Sequence, residues 1–161
     1  MLNLTDILGT RGLLIVVLAT ACGWGTNSYA ASEEDAVKAA VAAYHVALGS
    51  FDAAKIEALW VHDDTVMDIE PRTKTIAFGW DGVKKNFEGY LPFFTELKIT
   101  QMDGPHVQIK EDVARSMGIA MATFKLKDGT SGSAGIFETD VFEKRDGAWL
   151  LVSHSAAEVP K

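Results

Sequence analysis

Hydrophobic residues recur at helical spacing in three stretches of the chain, and each stretch begins or ends at a recognisable signal. In the first, Ser32 and the acidic residues after it predict an N-cap, and Gly49 predicts the end of the helix. Asp52 predicts the cap of a short second helix, and Asp81 predicts the cap of a third, which ends at Pro92. The apolar stripe of the first helix consists of Val37, Val41, Tyr44 and Leu48.

The other hydrophobic segments alternate or run unbroken in the way that strands do. Asp-Gly pairs at 128–129 and 146–147 predict hairpin turns, and Gly118 predicts a β-bulge in a long strand. The predicted strands are 65–70, 76–78, two halves of one interrupted strand at 97–102 and 106–110, and then 113–127, 135–145 and 149–155. This order predicts an α+β fold, in which a curved, mostly antiparallel sheet carries the helices on one face.

The first thirty residues have a different pattern from the rest. Residues 13–21 form an apolar run of nine residues, which as a helix rises about 14 Å, whereas a bilayer core is about 30 Å thick. The run therefore has the length of the hydrophobic region of a secretory signal, and the small residues around Ala30 predict cleavage there. We expect residues 1–30 to be a signal peptide and 31–161 to be one periplasmic or secreted domain without a transmembrane span. Two alternatives stay open, a buried N-terminal helix and a lipoprotein acylated at Cys22.

Charge and cysteine content exclude several classes of function. The chain has 161 residues, with 15 Lys and Arg against 22 Asp and Glu and a net charge of −7. Because no basic run occurs, a nucleic-acid partner is not expected. The single cysteine excludes an internal disulfide, and cleavage after Ala30 would also remove the only candidate thiol nucleophile. No His-x-His or His-Glu-x-x-His pattern occurs, so neither a metal site nor a cofactor is predicted.

Three segments, in this order, resemble one known family. They are the helix-to-strand passage LWVHDDTVMD at 59–68, the FGWDGV turn at 78–83, and the hairpin FEKRDGAWLLVSHS at 142–155. They resemble the SnoaL-like domains of the NTF2-like (nuclear transport factor 2, or cystatin-like) superfamily, over about residues 33–157. Ketosteroid isomerase-like proteins and the calcium/calmodulin-dependent kinase association domain are similar. The resemblance implies a cone: a sheet wrapped around three N-terminal helices, with a pocket for a small apolar or polycyclic ligand.

The last strand departs from the family pattern. Many members carry histidines four and six residues after the final tryptophan, where this chain has Ser153 and Ser155. His154 lies between them, and strand alternation places it on the opposite face. His154 is a candidate acid, base or ligand-orienting group, and the alternative is an exposed or edge-strand histidine.

Asp68 is the strongest candidate for acid–base chemistry. It lies on a strand otherwise rich in apolar residues, and alternation places Val66 and Glu70 on the same side as Asp68. In an apolar pocket the pKa of a carboxyl rises, so that it can take a proton from carbon or hold a water molecule. The alternative role is structural, with Asp68 holding Arg72 or backbone amides.

The aromatic and methionine residues predict the lining of the pocket, although most of them could equally belong to the core. His45 shares the polar face of the first helix and is expected at the surface. The expected lining residues are Tyr44, Trp60, Met67, Trp80, Phe87, Tyr90, Met121 and Phe137, with Tyr44 and Tyr90 as possible hydrogen-bond donors.

Three functional interpretations remain open at this point. The first is a small-ligand-binding domain without assured catalysis. The second is an isomerase, cyclase or hydrolase of the ketosteroid isomerase-like type that uses Asp68 as acid or base. The third is an oligomeric scaffold, in which the long strands 113–127 and 135–145 supply a sheet-face interface. A homodimer is expected in each case.

Overall fold

The computed structural model describes residues 32–160 except 72 and 74, so the predicted signal peptide, Cys22 and Arg72 lie outside the described residues. Within the part that is described, no helix has the length and apolar character needed to cross a bilayer. The elements are α1 (Glu33–Ser50), α2 (Ala53–Glu57), β1 (Met67–Ile69), β2 (Ala77–Phe78), α3 (Gly79–Tyr90), a 3₁₀ turn (Leu91–Phe93), β3 (Phe94–Lys110), β4 (Val113–Leu126), β5 (Ser131–Arg145) and β6 (Ala148–Glu158).

Local signals position the helices close to where the sequence predicts them. Ser32 caps α1 in a capping box with Asp35, whose side chain bonds back to the cap. Asp52 caps α2 by accepting from the amide of Ala54. The third helix begins at Gly79, two residues before the predicted cap Asp81.

The six strands form one mixed sheet in the order β2-β1-β6-β5-β4-β3. All neighbouring pairs are antiparallel except β1 and β6, which are parallel. The two predicted halves of β3 are confirmed as one strand with irregular register between Gln101 and His106. The irregularity thus lies on β3, not at Gly118, which pairs regularly with Glu138 of β5. A Cβ on Gly118 would lie 2.8 Å from the Asp103 carbonyl oxygen, so the close approach of β3 requires glycine there.

A bulge in β6 determines which side chains face the interior. Val141 pairs with Ser153 and Phe142 pairs with Leu151, so Val152 is an extra residue in β6. Leu151 and His154, three residues apart, are therefore both buried. The alternative in which His154 is exposed or on an edge strand is wrong, because β6 is a central strand and His154 is 2% exposed.

The hydrophobic core lies between the helices and the inner face of the sheet. The first helix contributes Val37, Val41 and Leu48, and Phe142 and Leu151 face them from β5 and β6. A smaller cluster of Ala122, Ile136 and Ala156, with Leu97 against it, lies further along the same strands. Small side chains in this second cluster leave room beside it for the cleft described below.

Candidate functional site

Polar residues form a row across four adjacent strands on the inner face of the sheet. Asp68 of β1 pairs in register with His154 of β6, which pairs with Asp140 of β5, which pairs with Ser116 of β4. All four are buried. Because side chains alternate along a strand, the next inward positions form a second row. That row contains Glu70, Ala156, Glu138 and Gly118.

Hydrogen bonds order the first row, and an ion-pair contact between His154 and Glu70 joins it to the second. The Ser116 hydroxyl donates to Oδ2 of Asp140 over 2.8 Å. The Nδ1 of His154 donates to Oδ1 of Asp140 over 2.7 Å, and this bond fixes the orientation of the imidazole. Its Nε2 then lies 3.7 Å from Oε1 of Glu70. The Tyr90 hydroxyl donates to the same Glu70 oxygen over 2.8 Å.

Three buried polar atoms have no hydrogen-bond partner among the described residues: Oδ1 of Asp68, the Tyr44 hydroxyl and Nε1 of Trp60. The other oxygen of Asp68 accepts a hydrogen bond from the amide of Asn86. The ring of Tyr44 packs edge-on against His154 with 5.1 Å between centroids. Each buried polar atom without a partner lowers the free energy of unfolding by about 1–3 kcal/mol, so this group of residues destabilises the fold.

The cluster shifts the pKa values of its members. Burial raises the pKa of Glu70 to about 7, and the negative charges of Asp68 and Glu138 also raise it, against the lowering effects of His154 and Tyr90. Burial likewise raises the pKa of Asp68. Burial alone would lower the pKa of His154, but the hydrogen bond to Asp140 and the surrounding carboxylates outweigh it and raise this pKa to about 10. His154 therefore supplies positive charge to a group of acids.

The burial of the two tyrosines has the expected effect on their hydroxyls. It raises the pKa of Tyr44 and of Tyr90 well above the ordinary value, with further contributions from the nearby carboxylates. Both hydroxyls therefore stay protonated and can act as hydrogen-bond donors.

A half-open cleft lies beside the cluster, and the space within and in front of it, open solvent included, is about 580 Å³. Glu70 and Tyr90 line it and connect it to the polar rows, whereas Asp68 does not line the cleft. Apart from Glu158, the remaining walls are apolar and come from the end of α1, the loop after β1 and the strands β3, β4 and β5. They are Leu48, Pro71, Phe94, Leu97, Ile99, Ala122, Phe124, Ala134 and Ile136.

The expected pocket-lining residues are distributed over four places. Tyr90 lines the cleft, while Tyr44, Trp60 and Phe87 are buried in the adjoining core. Trp80 is half-buried and stacks on His62, with 3.9 Å between ring centroids. Met67 and Phe137 are 40% and 47% exposed on the outer face of the sheet, and Met121 also points outward between the inward Ala120 and Ala122. The expectation that Met67, Met121 and Phe137 line the pocket is therefore wrong.

Several members of the site were not predicted. His45, expected at the surface, is 8% exposed, and its Nε2 lies 3.0 Å from Oε2 of Glu138. A signal for Glu138 and Asp140 was present, because both share the parity of Ile136 and Phe142 along β5. Acids at inward positions of an apolar strand indicate a buried polar site.

Two carboxylates and an imidazole far from them in the sequence also lie close together in the fold. Asp68, Glu70 and His154 each offer an oxygen or nitrogen atom, and these three atoms lie within 4.8 Å of one another. The sequence predicts no metal site because the histidine is 84 residues from the nearer acid (154 − 70). The parallel pairing of β1 with β6 brings them together.

Comparisons with known proteins agree with this architecture. Residues 30–154 match the model of the SnoaL-like domain. No curated protein matches the sequence.

Similar solved structures include an NTF2-like superfamily protein from Salmonella enterica, with 18% identity, a TM-score of 0.71 and coverage of 78% of this chain and 89% of that chain. A ketosteroid isomerase-like protein from Erwinia carotovora has 18% identity, a TM-score of 0.68 and coverage of 81% and 98%. A candidate calcium/calmodulin-dependent protein kinase II association domain from Xanthomonas campestris has 23% identity, a TM-score of 0.67 and coverage of 78% and 86%. The predicted fold class and family resemblance are confirmed.

Proposed function

The chain belongs to the SnoaL-like domain family, and on this premise we propose that its cleft binds a small, largely apolar molecule that carries one polar group. The observation that carries the proposal is the placement of Glu70 and Tyr90. These two hydrogen-bonded side chains face an otherwise largely apolar cleft. Sites for small molecules have this composition, with apolar walls for affinity and few polar groups for orientation.

The cleft indicates the shape and chemistry of its occupant. Phe94 and Phe124 meet edge to face, with 6.0 Å between ring centroids, and present aromatic surface suited to a flat molecule. Each Å² of apolar surface that the molecule buries contributes about 25 cal/mol. A hydroxyl or carbonyl on the molecule can exchange hydrogen bonds with Glu70 or Tyr90. The name of the ketosteroid isomerase-like neighbour is compatible with such a ligand.

A panel of flat apolar compounds, each bearing one hydroxyl or carbonyl, tests this proposal by NMR of the ¹⁵N-labelled protein. We expect at least one compound to shift amides of the cleft-lining strands. Ala122→Phe fills the cleft and abolishes those shifts, while Thr123→Phe, the next residue on the exposed face of β4, retains them. The proposal fails if no compound shifts the cleft amides, or if Ala122→Phe binds as wild type does.

A second candidate function is turnover of the bound molecule by acid–base chemistry. The observation that favours it is that Glu70 lines the cleft with the Nε2 of His154 3.7 Å behind it. A carboxylate in this position can remove a proton from a bound molecule. If the single hydroxyl proton of Tyr90 turns from Glu70 to the bound molecule, Tyr90 can donate to the oxygen on which charge develops. The structure favours Glu70 over Asp68 for this role, because Asp68 does not reach the cleft.

Turnover is tested with Glu70→Gln and with Asp68→Asn, using compounds that bind in the NMR panel. If Glu70 is the acid–base group, Glu70→Gln keeps its thermal stability and loses turnover at least 100-fold, in line with the usual contribution of a general base. Asp68→Asn then retains more activity. Equal turnover by Glu70→Gln and wild type would contradict the second candidate.

We infer that the protein is exported, with residues 1–30 removed. Support comes from the family match, which begins at residue 30, next to the predicted cleavage after Ala30. N-terminal sequencing of the protein recovered from the periplasm tests this. A start at Ala31 or Ser32 is expected, a blocked start at Cys22 would indicate a lipoprotein, and an intact start at Met1 would contradict the removal of residues 1–30. Absence of the protein from the periplasm would contradict export.

A further inference from the structure

We propose that Asp68, Glu70 and His154 form a binding site for a divalent transition-metal cation such as Mn²⁺, Co²⁺ or Zn²⁺. The proposal begins from geometry: the three candidate ligand atoms lie within 4.8 Å of one another. Neighbouring ligands of a tetrahedral ion, each about 2.0–2.2 Å from it, lie about 3.3–3.6 Å apart. Side-chain movements of up to about 1 Å therefore bring all three atoms into coordination distance.

Each proposed ligand side chain forms a hydrogen bond with another residue, which fixes its orientation. Asp140 accepts the Nδ1 hydrogen of His154 and leaves Nε2 as the coordinating atom. Tyr90 donates to Glu70, and Asn86 donates to Asp68. Metal sites commonly have such outer partners, because a carboxylate behind a histidine fixes the ring and strengthens its basicity.

An independent observation points to a ligand at this position. Asp68 is 0% exposed, and its Oδ1 has no hydrogen-bond partner among the described residues. An unpaired carboxylate oxygen is expensive to bury, and a cation is the partner that compensates it best.

The local charge also favours a cation. The carboxylates of Asp68, Glu70 and Asp140 surround one imidazole. No lysine or arginine in the described part of the chain forms an ion pair with any of them. A divalent ion that displaces the Nε2 proton of His154 offsets two negative charges, whereas the protonated imidazole offsets one.

The donor set limits which ions fit. One imidazole nitrogen with two carboxylate oxygens suits Mn²⁺, Fe²⁺, Co²⁺ or Zn²⁺, and it lacks the thiolates that select copper(I). Glu70 also lines the cleft, so the proposed ion lies beside the space for the small molecule. Coordination of the ion and proton transfer by Glu70 would compete for the same carboxylate.

The test is titration of the chelator-treated, tag-free protein with MnCl₂, CoCl₂ or ZnCl₂ by calorimetry at neutral pH. We expect one ion bound per chain, with visible absorption bands when the ion is Co²⁺. Asp68→Asn and His154→Gln should weaken binding at least tenfold, and Asp140→Asn should weaken it about 10- to 100-fold through its effect on His154. The matched control is His106→Gln, which removes an exposed histidine that also faces an aspartate, 3.2 Å from Asp103.

A spectroscopic measurement covers the case in which a variant fails to fold. With Mn²⁺ bound to wild-type protein labelled with ¹⁵N-histidine, pulsed EPR should show nitrogen coupling from one imidazole. The proposal is overturned if none of the three ions binds, if bound Mn²⁺ shows no histidine coupling, or if folded Asp68→Asn binds as tightly as wild type. Metal binding is measured without the small molecule, so its failure leaves the ligand-binding proposal untouched.

Discussion

At the scale of single residues, the pair His45 and Glu138 joins α1 to the middle of β5. The Nε2 of His45 lies 3.2 and 3.0 Å from the two oxygens of Glu138, and the side chains are 8% and 5% exposed. Removing one member of a buried pair leaves the other without its partner, which costs far more than the loss of a surface pair.

His45→Ala should therefore lower the free energy of unfolding by about 1–3 kcal/mol in urea titrations, because Glu138 loses its buried hydrogen-bond partner. The control is Lys38→Ala on the same helix, which breaks the exposed ion pair with Glu34 and should cost less than about 1 kcal/mol. Equal losses in the two variants would show that His45 and Glu138 do not stabilise the fold as a buried pair.

The limits of sequence-based prediction are clearest at this scale. Alternation correctly places Asp68 and Glu70 on one side of their strand, and both are buried. His45 could not be assigned from α1 alone, because its partner Glu138 is 93 residues away along the chain. The inward position of His154 depends on the bulge at Val152, which no local turn residue signals.

At the scale of elements, the contact between α1 and β3 depends on a small residue. A Cβ on Gly49 would lie 2.6 Å from the carbonyl oxygen of Leu97, a distance that real Cβ atoms do not show. Backbone must move to admit a side chain, and such overpacking typically costs about 1–3 kcal/mol. The caps of α1 and α2 and the hairpin turns could be predicted because their signals are local, whereas this contact joins distant segments.

Gly49→Ala should therefore destabilise the protein by about 1–3 kcal/mol. Gly89→Ala is the matched control, because a Cβ there meets nothing within 4 Å and alanine favours helix by about 0.8–1 kcal/mol over glycine. Thermal unfolding should thus shift in opposite directions in the two variants. Equal or greater stability of Gly49→Ala would contradict the close packing of α1 on β3.

At the scale of the whole molecule, apolar residues remain on the outer face of the sheet. Met117 and Phe137, on β4 and β5, are 50% and 47% exposed. The helices α1 and α3 pack on the other face, and no described element covers this one. We propose that a second copy of the chain covers it, because one sheet face can pack against itself about a twofold axis. The homodimer expected from the sequence stays a prediction.

Light scattering after size-exclusion chromatography tests the dimer. Wild type should have twice the mass of one chain, and Met117→Lys combined with Phe137→Lys should have the mass of a single chain, because the lysines place like charges at the interface. Val46→Lys is the control, since Val46 is 72% exposed on α1, away from this face. A monomeric wild type, or a dimer that survives both lysines, would contradict the proposed interface.

The central claim is that the cleft beside Glu70 and Tyr90 is the binding site of this domain. A crystal structure with the tightest-binding compound of the NMR panel tests it most directly. We predict that the compound lies between Phe94, Phe124 and Ala122, with its hydroxyl or carbonyl oxygen about 3 Å from Glu70 or the Tyr90 hydroxyl. A compound bound on the outer face of the sheet, or one in the cleft whose polar group points away from both residues, would contradict the account.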